Sequence, residues 1–208
     1  ALSLFKTVAN YQREDFGPES YEYASQLSHI AACYASLGEF GQAIDYAQSA
    51  LVIQEKCLDD DHLDYIFTLN SLAEYYSYDG QNEKAIETAK EVAEFVGEAW
   101  GKDGEDYITS LEFLFDRYVD AEEYSLARDL GHDILKRNSA FYGDKSIPYG
   151  QALSNMVPVY QHLDSYQDAL KCGLESISVF DFNKKRVHPF NSVSYTHLRA
   201  HETSAHLV

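Results

Sequence analysis

The stretch FGPESYEYASQLSHIAACYASLGEFGQAIDYAQSALVIQEKC, residues 16–57, decides the fold, because the chain returns to a version of it every 42 residues. Tyr23, Tyr65, Tyr107 and Tyr149 share that spacing, and so do Leu27, Leu69, Leu111 and Leu153. A second tyrosine follows in each copy at Tyr34, Tyr76, Tyr118 and Tyr160, and then an alanine at Ala43, Ala85, Ala127 and Ala169. Such self-similarity at one fixed period marks a repeat array, in which each unit buries its apolar face only against its neighbours. Phe16, Leu58, Trp100 and Tyr142 open the four copies, which places repeats at 16–57, 58–99, 100–141 and 142–183. In the same register, residues 1–15 read as the second helix of a truncated repeat, and residues 184–191 as the start of a fifth.

Within the first copy, Tyr23, Leu27, Ile30, Ala31, Tyr34 and Leu37 recur at spacings of three and four, which predicts one buried face on a helix from Tyr21 to Leu37. Gly38 supplies the left-handed turn that stops it. A second helix is expected from Phe40 to Lys56, with Ala43, Ala47, Ala50, Leu51 and Ile53 buried. Small residues at Ala31, Ala43 and Ala50 let the two backbones approach, while Leu27 and Tyr34 fill the space between neighbouring pairs. The second copy repeats this pattern at Leu69, Leu72, Ala73, Tyr76, Gly80, Ala85 and Ala89, after a linking loop at Asp59–His62. Asp59, Asp60 and Asp61 read as carboxylates set at the positive end of the next helix rather than as a calcium loop.

The later copies depart from the pattern. Phe115 stands where Ala31 and Ala73 are small, and so should force the helices apart or rotate outward; Glu122 replaces the helix-ending glycine. Pro158 lies inside a helix that it should kink. The third and fourth copies are therefore expected to be the least regular.

Bulk composition narrows the function classes. Thirty-four acidic residues against 16 basic ones give a formal charge of −18, which disfavours nucleic acid and anionic membranes as partners, since either needs a basic stripe. No apolar run approaches the roughly 18 residues of a membrane span. Cys33, Cys57 and Cys172 are scattered and odd in number, which suggests free thiols in a reducing, cytoplasmic setting rather than a disulfide framework or a zinc site. Most of the 17 tyrosines fall on the repeat period and on the packing face, so they read as core.

The spacing of Leu27, Ile30, Ala31, Tyr34, Gly38, Ala43 and Ala50 resembles the tetratricopeptide repeat, and the small-residue ladder favours it over HEAT and armadillo repeats. The unit is longer than the usual one of about 34 residues. Segments such as Leu69-Asn70-Ser71-Leu72-Ala73-Glu74-Tyr75-Tyr76 and His188-Pro189 are similar to the kinesin-light-chain type of the repeat, which also occurs in bacterial arrays attached to signalling or caspase-like protease domains. The resemblance implies an all-α α-solenoid, a right-handed superhelix of antiparallel helix pairs. It ends near Asn191. From Val193 to Thr203 the sequence resembles translated sequencing-adapter contamination, so residues 192–208 are expected to be a non-native, unstructured tail, and the zinc-like spacing of His197, His201 and His206 is discounted with it.

No phosphate loop, nucleophile motif or metal-ligand constellation is present in the sequence, so neither catalytic residues nor a cofactor are expected. The resemblance does imply a concave groove lined by the first helix of each unit. Its positions fall on Ser25, Ser28, Ala32 and Ser36; on Phe67, Asn70, Glu74, Ser77 and Tyr78; on Thr109, Glu112, Asp116 and Asp120; and on Gln151, Ser154, Gln161 and His162. The set contains an amide, aromatics and carboxylates but no lysine or arginine. Family members that clamp acidic peptide termini use basic residues, so a basic or neutral peptide is the expected ligand here, with Asn70 bonding its backbone and Glu74, Glu112 and Asp116 facing its positive groups. Two functions follow from the resemblance: a non-enzymatic protein–protein interaction scaffold, or the sensor arm of a larger signalling enzyme whose kinase or caspase-like protease domain lies outside this chain.

Overall fold

Residues 2–57 and 63–184 are described by the computed structural model, and all the regular structure among them is helical. The loop at Asp59–His62, the start of the fifth copy and the tail with its three histidines lie outside the described residues. Two compact units are distinguished, Ala1–Glu123 and Tyr124–Val208. The first holds α1 (Leu2–Phe16), α2 (Tyr21–Ser36), α3 (Phe40–Cys57), α4 (Leu63–Tyr78), α5 (Asn82–Ala99) and α6 (Glu105–Asp120). The second holds α7 (Tyr124–Tyr142), α8 (Ile147–His162) and a further helical stretch, α9, over residues 166–184.

Helix starts repeat with the sequence period. α2, α4, α6 and α8 begin at residues 21, 63, 105 and 147, and each is 16 residues long. Ser20 and Ser146 stand at equivalent positions and cap α2 and α8, each accepting from the N–H three residues on, Tyr23 and Tyr149, at 3.3 Å. At the other end the four helices stop alike. The N–H groups of Glu39, Gln81, Glu123 and Ser165 reach back to the carbonyls of Tyr34, Tyr76, Tyr118 and Tyr160 at 2.8–3.0 Å, the bond that closes a Schellman turn. That turn needs a left-handed residue, supplied by Gly38 (φ 76) and Gly80 (φ 77) in two copies and by Glu122 (φ 60) and Asp164 (φ 55) in the others.

The loss of glycine in the later copies therefore costs strain rather than regularity, and helix boundaries there are as uniform as in the earlier ones. Phe115 does not rotate out; it is 4% exposed within an α6 of unchanged length. At the position where the earlier copies carry Ala47 and Ala89, the sequence has Gly131 and Gly173. In the second unit a Cβ at Gly173 would make an ordinary contact of 3.7 Å with Val157, the larger residue in the Ala31 position, so the space does not demand a glycine there. α8 also continues past Pro158 to His162; Pro158 is exposed, and so is Ser154, whose carbonyl loses its helical partner. Leu37, expected on the buried face, is 61% exposed, because it is the cap residue one position beyond α2.

The core of the first unit is a ladder of small residues against large ones. Ala31, Ala43 and Ala47 are buried with Ile30, Tyr34, Leu72 and Tyr76, so one cluster spans α1 to α5. Further along, Ile66 and Leu69 of α4 pack on Val92 and Val96 of α5. The second tyrosine of each copy crosses to the helix 28 residues upstream. Tyr34 accepts from the Lys6 ammonium at 2.6 Å, Tyr76 from the Gln48 amide at 2.7 Å, and Tyr160 lies 2.9 Å from His132 Nε2. Tyr118 receives Lys90 over its ring face at 5.7 Å. The first tyrosine ties a helix to the next one: Tyr149 donates to Glu175 at 3.0 Å, and burial together with that carboxylate pushes its phenol up to about 12.

Two substitutions test this packing. Leu69→Ala removes a side chain buried between α4 and α5 and should cost about 2–5 kcal/mol in urea unfolding, with Tyr34→Ala in the same range; an unchanged midpoint for either would contradict the packing. Glu122→Gly relieves a left-handed non-glycine and should stabilise by about 0.5–1 kcal/mol, the steric relief outweighing the added chain entropy.

Candidate functional site

The face opposite the α3 and α5 contacts of α2 and α4 carries the residues that vary between copies. Ser25 and Ser28 on α2 are half-buried, while Ala32 and Ser36 are exposed. On α4, Phe67, Glu74 and Tyr78 are exposed, whereas Asn70 and Ser77 are half-buried. On α6, Thr109, Asp116 and Asp120 are exposed and Glu112 is half-buried.

Several of these side chains are brought together. Ser28 Oγ lies 3.1 Å from Thr68 Oγ1 and bridges α2 to α4. Ser77 donates to Asp120 at 3.0 Å and bridges α4 to α6. Others are occupied at the end of their helix: Tyr78 stacks on Phe40 at 5.2 Å between centroids, interplanar angle 24°. Asn70 keeps its Oδ1 covered and without a hydrogen-bond partner, so one strong acceptor in the middle of α4 is unanswered.

Between α2 and α4, with α3 beneath, lies a cleft of about 340 Å³ lined by Ser25, Ser28, Ala32, Gln54, Phe67 and Thr68, with His29 and Asp64 at its sides. Asp64 accepts from the Tyr21 hydroxyl, and His29 stacks flat on Phe5 at 5.3 Å. Gln54, Thr68, His29 and Asp64 were not legible as site residues. His29 and Thr68 each adjoin a mapped groove position and Asp64 lies three residues before Phe67, but Gln54 belongs to the second helix of its pair, which a map of first helices omits.

The α6 segment is the acidic end. Desolvation by the surrounding protein raises the Asp116 carboxyl above its ordinary value although it keeps an exposed surface; Asp120 and Glu112 add to the rise, and Arg117 opposes it. Arg117 is the basic group that the groove map lacks. Its guanidinium is mostly covered, bonds Asp120 at 3.0 Å and lies 4.7 Å from the Phe113 ring centroid. Asp120 is thus held from two sides, while Asp116 and Glu74 are exposed.

In the second unit, considered by itself, Gln151, Ser154, Gln161 and His162 are all exposed on α8. Gln151 donates to Asn155 at 3.0 Å. His162 stacks on Tyr124 at 4.1 Å, the same arrangement at the same register as Tyr78 on Phe40. Among the described residues no group of three His, Cys, Asp or Glu side chains is placed to hold a metal ion, and no helix is long and apolar enough to cross a membrane.

Raised by desolvation, Asp116 is neutral more readily in the folded chain than in the unfolded one. Its ionisation therefore opposes folding, so the stability linked to it is full below the unfolded carboxyl value and is lost as pH rises through the higher folded one. Asp116→Asn should raise the melting temperature at pH 7, and the gain should shrink as pH falls through the carboxylate range; a gain independent of pH would contradict this environment.

Residues 22–96 match the family model described as tetratricopeptide repeat. Nearly identical TPR-like repeats of a Podosopora anserina kinesin-light-chain candidate have a similar structure, with TM-score 0.78, 16% identity, and 88% of this chain and 86% of that one covered. BtubC (BKLC) from P. vanneervenii is similar at TM-score 0.55 and 13% identity over 88% of this chain and 91% of its own. MamA is similar at TM-score 0.54 and 12% identity, covering 86% of this chain and 97% of that one. At these identities the likeness is one of fold. No curated protein sequence matches the chain.

Proposed function

From a helical-repeat chain whose residues 22–96 match the tetratricopeptide repeat model, we propose a non-enzymatic scaffold that holds a basic or neutral peptide, or the equivalent segment of a partner protein, along the groove faces of its first helices. Folds of this kind generally serve as protein-interaction scaffolds. In this reading the 42-residue copies are the units of both stacking and recognition. The observation that carries the proposal is the contrast between two sets of residues. The letters that repeat, Leu27, Tyr34, Ala43 and their equivalents, are buried, whereas Phe67, Glu74, Asp116 and Gln151 differ between copies and are exposed.

Charge supports the choice of ligand. Glu74, Glu112, Asp116 and Asp120 line the mapped positions of α4 and α6, and the basic residue of those helices, Arg117, is mostly covered and bonds Asp120 through Nη2. A chain at −18 repels polyanions over long range, which argues against nucleic acid and acidic lipid and favours encounter with a cationic segment. An extended peptide also needs its backbone amides satisfied, and the unanswered Asn70 Oδ1 would accept one of them. The three free, half-buried cysteines suit a cytoplasmic, reducing setting.

The test is a charge reversal within the groove. Glu74→Lys combined with Asp116→Lys should weaken binding of a fluorescein-labelled lysine-rich peptide by at least about tenfold in anisotropy at moderate salt, with helicity unchanged by circular dichroism. Equal affinity in the variant would rule the groove assignment out.

A further inference from the structure

The floor of the α2–α4 cleft carries a polar group that folding does not require. Gln54 is 1% exposed, sits on α3 beneath both groove helices, and its Oε1 has no hydrogen-bond partner. A buried polar atom left unpaired costs free energy, so a site that retains one calls for a compensating interaction. Forty-two residues on, the equivalent position is Val96, 2% exposed and packed against Ile66 and Leu69. An apolar side chain is therefore compatible with this place in the helix pair, but Gln12 and Asn138 stand in the same register and Gln12 Oε1 is likewise covered and unpaired, so an amide recurs here; what marks Gln54 is that it lines a cleft.

Counting protons around the cleft identifies what would answer it. Thr68 donates its hydroxyl proton to the Asp64 carbonyl at 2.8 Å. Ser28 has one proton to give, either to Thr68 Oγ1 at 3.1 Å or to the Ala24 carbonyl at 3.4 Å. Both hydroxyl protons are thus committed within the protein. Lone pairs on Ser28 Oγ, the unpaired Gln54 carbonyl oxygen and the Asp64 carboxylate remain beside the Ser25 hydroxyl, the Gln54 amide N–H groups and the His29 ring, so the lining both donates and accepts and its formal charge, with His neutral, is negative. The Asp64 carboxylate is met by the neutral Tyr21 hydroxyl, which leaves its charge for a cation, whereas an acidic group would be repelled. The walls are apolar: Ala32 on one side, and on the other Phe67, whose ring is 67% exposed. The complement is an apolar stem ending in a cationic cluster of N–H donors.

We propose that the cleft over Gln54 is an anchoring slot for one lysine or arginine side chain of the bound peptide, its stem against Phe67 and Ala32 and its cationic head bonded to Gln54 and Asp64. The slot rests on the groove reading above and sharpens it from a general acidity to one position. About 340 Å³ is ample for such a side chain. Phe67 contributes twice, as an apolar wall and as a ring face for the cation.

The test uses the whole chain and three short probes, acetyl-Gly-Lys-Gly-amide and its arginine and norleucine counterparts, titrated while amide proton–nitrogen NMR spectra are followed. The expected result is saturable shifts at the backbone amides of Ser28 and Phe67 and at the Gln54 side-chain amide with the lysine and arginine probes, and at least about tenfold weaker binding of norleucine. Gln54→Val, which copies the side chain at residue 96 and so should fold, is expected to abolish the preference for lysine over norleucine. Phe67→Ala, a change at an exposed site, should weaken both. Norleucine binding as well as lysine, or a lysine preference that survives Gln54→Val, would overturn the slot. Shifts confined to Glu74, Glu112 and Asp116 would overturn the slot and leave the groove reading standing, whereas no shift anywhere would overturn both.

Discussion

Contact between successive helix pairs is the constraint on which the rest depends. A pair such as α2–α3 has too little interior of its own, because Ala31, Ala43 and Ala47 bring the two backbones together and leave almost no volume between them to fill. The bulk is supplied from outside the pair, by Leu72 and Tyr76 of α4 on one side and by Ala9 and Phe5 of α1 on the other. The repeating tyrosine of α2, α4, α6 and α8 concentrates this dependence in one residue. Its ring is buried between pairs, its hydroxyl or ring face is met by a polar group 28 residues upstream, and its carbonyl accepts the bond that ends its own helix. Packing, inter-pair hydrogen bonding and helix termination therefore share a single position.

That economy explains how much was readable in the sequence. A tyrosine serving three purposes tolerates little variation, so it recurs at Tyr34, Tyr76, Tyr118 and Tyr160 and sets the period from which helix starts follow. Departures from the period were harder to weigh. Glu122 and Asp164 show that the left-handed turn is a requirement of the backbone, which glycine meets at least cost but does not monopolise. Phe115 makes a similar point about volume: a large side chain in a column of small ones is buried without changing the length of its helix.

The candidate site was legible only in outline, because its residues are under no shared packing demand. Register placed Ser28, Phe67, Glu74 and Asp116 on the outward sides of their helices, but it said nothing of which side chains already hold one another. Asp120 is bound by Ser77 and Arg117, and Tyr78 lies on Phe40, so both are less available than their positions suggested. Gln54 escaped notice because buried positions of the second helix belong, by pattern, to the core. The division of labour is thus imperfect: most recurrent positions build and most variable ones are free to bind, but one variable position lies beneath the surface where the two roles meet.

The central claim, that stability resides between pairs rather than within them, is tested most directly by comparing circular dichroism and urea unfolding of residues 21–57 alone with those of residues 2–99. The account predicts a largely unstructured short segment and a helical, cooperatively unfolding longer one. A single pair that is fully helical and unfolds cooperatively by itself would contradict it.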